Sequence, residues 1–166
     1  MRDTVIQEVL KHKIIAIVRG MDKEQTVNIA KALYEGGIRF IEVTFNQKKP
    51  EEFYKTADSI RAIREAMGDK MYVGAGTVTS VELVDMAAEA GALYMISPDM
   101  DEEVIKRTRE LGLVSMPGAY TATEAKKAYN AGADFVKLFP CIGDAPAYVK
   151  ALCAPLSHIP FLAVGG

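Results

Sequence analysis

Residues 134–140 read DFVKLFP. Phe135, Val136, Leu138 and Phe139 have the composition of a strand buried on both faces, which is almost continuously apolar, yet Lys137 stands among them. Lysine is rarely buried unless it is paired. Held in a low-dielectric pocket, its ammonium form is disfavoured. The neutral amine can then add to a ketone and form a Schiff base, whose iminium accepts the electrons of a carbanion on the adjacent carbon. Such chemistry needs a second group to move protons, and Glu42 in IEVTF suits that role. A substrate carboxylate calls for a cation, and Arg19 ends the run IIAIVR. A substrate phosphate calls for backbone N–H groups, which Gly165 and Gly166 after FLAV can offer.

Each of these residues also has a plainer reading. Lys137 suits a snorkelling edge position, and Glu42 could be its ion-pair partner. Arg19 could cap a loop, Thr77 the following helix, and paired glycines usually mark turns. What favours chemistry is their company at strand ends. His12 and His158 fall away from those ends and receive no role, and Cys141 reads as a small apolar filler.

The elements that must position them repeat one unit. An amphipathic segment ends in glycine, the expected helix stop, and a short apolar strand follows. KALYEGG precedes 38–45, MAAEAGA precedes 93–98, TRELG precedes 113–118 and AYNAGA precedes 134–140. With 14–18, 72–76 and 161–164 this makes seven strands, alternating with helices expected over 3–11, 22–35, 50–67, 79–90, 101–111, 121–131 and 145–154. Thr79, Asp101 and Thr121 are the expected N-caps.

Alternating β and α implies a parallel sheet. No Gly-x-Gly-x-x-Gly follows the first strand, which weakens a dinucleotide-binding sheet. The expectation is a (β/α)8 TIM barrel with an extra N-terminal helix, one domain over residues 1–166, truncated after strand seven so that the eighth βα unit is absent. In such barrels chemistry sits at the C-terminal strand ends. There the chain places Arg19, Glu42, Thr44, Thr77, Ser97, Pro98, Pro117, Lys137, Gly165 and Gly166.

Composition narrows the function classes. The chain has 166 residues, net charge −2 and no run of like charges, which speaks against nucleic acid or an anionic membrane as partner. No apolar run is long enough to span a bilayer, and the N-terminus lacks the apolar core of a signal peptide. Two cysteines make neither a disulfide framework nor a metal cluster. A cytoplasmic protein without metal or cofactor is expected.

IEVTF around Glu42, VGAGTV around Thr77, ISP at Pro98, PGAYTATEA from Pro117 and VKLFP around Lys137 together resemble the 2-dehydro-3-deoxy-phosphogluconate (KDPG) and 4-hydroxy-2-oxoglutarate (KHG) aldolase family, including its phosphogalactonate relatives. The likeness runs along essentially the whole chain. It implies a metal-independent class I aldolase, a lyase on a (β/α)8 barrel and a homotrimer, which releases pyruvate and an aldehyde from a small keto-acid substrate. It assigns Lys137 the Schiff base, Glu42 acid/base catalysis, Thr77 the keto-acid portion, Pro98 and Phe139 the pyruvyl pocket, and Gly165 and Gly166 part of a phosphate loop. Asn46 stands where many members carry arginine, so Arg19 is expected to take the substrate carboxylate. Val164 and Asp99 also depart from the family's usual residues. Asn46, TATEA and AVGG lean toward the phosphogalactonate branch. The rival readings are a phosphosugar isomerase, epimerase or decarboxylase on a related barrel, and a catalytically silent truncated barrel.

Overall fold

The computed structural model describes residues 1–165. After α1 (Arg2–His12) come β1 (Ile15–Val18), α2 (Lys23–Glu35), β2 (Phe40–Thr44), α3 (Phe53–Met67), β3 (Tyr72–Gly76), α4 (Val81–Glu89), β4 (Tyr94–Ile96) and α5 (Glu102–Glu110). The chain continues through β5 (Val114–Met116), β6 (Gly118–Ala119), α6 (Ala122–Asn130), β7 (Val136–Leu138), α7 (Ala145–Cys153) and β8 (Phe161–Ala163). The glycines read as helix stops behave as such: Gly37, Gly91, Gly112 and Gly132 follow α2, α4, α5 and α6 at positive φ. Asp101 and Thr121 cap α5 and α6, the latter in a reciprocal box with Glu124. The cap of α4 is Ser80, not Thr79; its hydroxyl accepts from the Leu83 amide.

All strand pairs are parallel, in the order β1-β2-β3-β4-β5 and β6-β7-β8. The fifth strand expected over 113–118 is divided at Pro117, which has no N–H to donate. Residues before it pair with β4 and residues after it with β7. Backbone bonds nevertheless cross the division. The carbonyls of Ser115, Pro117 and Ala119 accept from Phe135, Lys137 and Phe139 at 3.3, 2.8 and 3.1 Å. The strands thus follow barrel order, and β1 and β8 do not pair with each other among the described residues.

Period-two alternation divides each strand's side chains between two cores. Ile41, Val43, Val73, Ala75 and Met95 pack outward with the helices. Phe40, Tyr94, Ile96, Val114, Met116 and Phe135 form an inner cluster, which Val5 and Val9 of α1 join from the N-terminal end. Glu42 lies between Ile41 and Val43, and Lys137 two residues beyond Phe135, so alternation turns both toward the inner cluster.

Candidate active site

Glu42 is 3% exposed, and its carboxylate accepts no hydrogen bond among the described residues. Its register partners are Ile17 on β1 and Gly74 on β3. Burial pushes its pKa up from 4.5 to about 7, against the opposing pull of Lys137 and Arg19. A carboxyl titrating near neutrality suits a group that must both take and give a proton. Tyr94 lies beside it, wholly buried, with its ring over Gly74 and its hydroxyl donating to the Ile41 carbonyl at 2.7 Å.

Lys137 is 7% exposed and has neither hydrogen bond nor ion pair among the described residues. Its Nζ stands 4.6 Å from the centroid of the half-buried Phe139 ring. Its register partners are Gly118 and Leu162. Burial lowers its pKa; Glu42 opposes that shift and Arg19 reinforces it. Lys137 and Glu42 are therefore near enough for each to alter the other's proton affinity, yet they form no ion pair. The reading of Glu42 as a salt-bridge partner falls on that geometry.

Arg19 follows β1, exposed, and its Nε donates to Thr44 Oγ1 at 3.4 Å. Asn46 is engaged in its own loop, with Oδ1 accepting from the Lys48 amide at 3.1 Å. Thr77 is not an N-cap, since Ser80 holds that position. It sits instead at the end of β3 with φ 57°, a left-handed conformation rare for a β-branched residue. Gln47, whose role the sequence did not signal, donates from Nε2 to the Thr77 carbonyl at 3.0 Å. Half-buried Pro98 packs its carbonyl against Gly118, where any side chain would collide. A hollow of about 360 Å³ is lined by Ile17, Glu42, Ile96, Leu162, Val164 and Gly165, among others. Gly166 lies outside the described residues. A larger hollow of about 700 Å³ at the opposite end holds Lys11 and His12, both paired with Glu8.

The comparisons with known proteins agree with this architecture. An Escherichia coli (strain K12) 2-dehydro-3-deoxy-6-phosphogalactonate aldolase is 40% identical over 157 residues, 94% of this chain and 74% of that protein. A Treponema pallidum (strain Nichols) 2-dehydro-3-deoxy-phosphogluconate aldolase is 34% identical over 164 residues, 98% of this chain and 75% of that one. Among solved structures, native KDPGal superposes with TM-score 0.82 at 40% identity, covering 92% of this chain and 71% of its own. Zymomonas mobilis ZM4 2-keto-3-deoxy-6-phosphogluconate aldolase with 3-phosphoglycerate gives TM-score 0.83 at 27% identity, over 97% of this chain and 74% of that one. By fold and by relatives the protein is an aldolase, a lyase on an α/β barrel. A family model described as KDPG and KHG aldolase matches residues 5–166, and the chain belongs to that family.

Proposed function

We propose that the protein is a Schiff-base aldolase that reversibly cleaves a 2-keto-3-deoxy-6-phospho sugar acid, or 4-hydroxy-2-oxoglutarate, to pyruvate and an aldehyde. The observation that carries this reading is the buried, unpaired Lys137 with its lowered pKa beside Glu42 near 7. The 40% identical relative favours 2-dehydro-3-deoxy-6-phosphogalactonate as substrate.

The Lys137 amine adds to the C2 ketone, and Glu42 protonates the departing hydroxyl so that water leaves an iminium. The Glu42 carboxylate then takes the C4 hydroxyl proton, through a water. The C3–C4 bond breaks, its electron pair flows into the iminium, and the C4 carbon departs as the aldehyde. Glyceraldehyde 3-phosphate leaves from the phosphosugar acid and glyoxylate from 4-hydroxy-2-oxoglutarate. The remaining enamine takes a proton at C3 from Glu42, and water hydrolyses the iminium to release pyruvate and the free amine. Arg19 holds the substrate carboxylate, a role open to it because Asn46 is occupied by its loop. Thr77, Pro98 and Phe139 surround the keto acid, and Gly165 and Gly166 meet the phosphate.

Borohydride reduction with pyruvate tests the reading: a reduced pyruvyl adduct on Lys137 is the expected result, and an unmodified protein would defeat it. The kcat/KM ratio for the phosphogalactonate against the phosphogluconate substrate tests the branch. The homotrimer is part of the same proposal, as is the cytoplasm. Family likeness supports the first, and light scattering would measure it. Supporting the second, no helix among the described residues is long and apolar enough to cross a membrane.

A further inference from the structure

The geometry assigns a function to two absent side chains. We propose that Gly76 of β3 is a positioning residue of the reaction, leaving the space in which the Glu42 carboxylate lies, while Gly74 leaves the space for the Tyr94 ring beside it. The inference rests on the aldolase reading of Glu42 and Lys137.

Strand alternation turns 74 and 76 to the same inward side as Glu42, and the β2–β3 register sets Gly74 opposite Glu42 and Gly76 opposite Thr44. Neither glycine has a positive φ, so backbone conformation does not demand glycine at either position. Their neighbours do. A Cβ on Gly76 would collide with Glu42 Oε1 and lie 2.7 Å from its Cγ. A Cβ on Gly74 would collide with the Tyr94 ring. These obstacles differ in kind. The Glu42 carboxylate is the free end of a flexible side chain and can be pushed aside. The Tyr94 ring is fully buried, and its hydroxyl is tied to Ile41. A side chain at 76 therefore displaces the acid/base and spares the fold, whereas one at 74 strikes the core.

The test is Gly76→Ala, read by borohydride trapping of pyruvate and by solvent-deuterium exchange into the pyruvate methyl group, followed by NMR. Exchange requires the proton transfer at C3 but no aldehyde. The variant should keep the trapped adduct while exchange falls by about 10²-fold or more, the scale of a lost general acid/base. Truncating the displaced side chain should relieve the collision, so Gly76→Ala with Glu42→Ala should have a higher thermal midpoint than Gly76→Ala alone. Wild-type exchange in Gly76→Ala, or no gain in thermal midpoint from adding Glu42→Ala, would overturn the proposal. Should Gly76→Ala not fold, adding Glu42→Ala must restore the folded protein, and failure to do so overturns it equally. A wild-type protein that traps no pyruvate sinks the aldolase reading instead. The thermal midpoints of Gly76→Ala and its Glu42→Ala double variant would still test the berth.

Discussion

Asp134, just before β7, and Lys137 within it are both nearly buried, and their surroundings are opposites. The Asp134 carboxylate accepts from Arg2 of α1, from Arg109 of α5 at 2.8 Å, and from the Ser115 amide at 3.0 Å. Lys137, three residues on, has only the face of Phe139 among the described residues. A charge satisfied on several sides ties elements together. Burial shifts the proton affinity of both, raising the pKa of Asp134 and lowering that of Lys137, but only Lys137 is left without a hydrogen bond or ion pair among the described residues. The buried Asp134 at the N-terminal end is tied into the architecture, and the buried Lys137 and Glu42 at the other end are left without an ion pair among the described residues.

Lys137→Met strikes that contrast hardest. The borohydride-trapped adduct should vanish and cleavage fall below detection, with the fold intact. Next comes Glu42→Gln, which should lower kcat by ~10²–10⁴-fold while trapping stays detectable. It should also reveal a stability effect of defined sign. Because the folded-state pKa of about 7 lies above the usual 4.5, the folded protein binds this proton more tightly than the unfolded chain. The stability so gained is complete below the unfolded value and is lost as pH rises through 7. Above that pH, Glu42→Gln should therefore be more stable than wild type by roughly 3 kcal/mol in denaturant titration. Arg19→Ala should raise KM by about 2 kcal/mol, near 30-fold, with Asn46→Ala close to silent. If the two results were exchanged, the carboxylate would belong to Asn46. Asp134→Asn should act at the other end only: about 2 kcal/mol less stable, since Arg2 and Arg109 keep partial access to water, with kcat unchanged in the folded protein.

Much of this was legible along the chain because it is local. Glycine stops, apolar runs and one misplaced lysine need only their sequence neighbours, and seven helices fall within a few residues of their expected bounds. The α4 cap moved from Thr79 to Ser80 because hydroxyl caps one residue apart look alike without backbone angles. The division at Pro117 was hidden in a run that reads as one strand, since which neighbour each half pairs with is a matter of register. Register also concealed the roles of Tyr94, Gly74 and Gly76, whose meaning lies across strands. Gln47 was beyond reach for the same reason: its partner Thr77 is thirty residues away.

The Pro117 division has a mechanical consequence. Glu42 belongs to the five-stranded sheet and Lys137 to the three-stranded one. The link between these bodies runs through 114–119, where the Pro117 carbonyl holds the Lys137 amide itself. Any hinging of one sheet against the other would directly change the gap between Lys137 and Glu42.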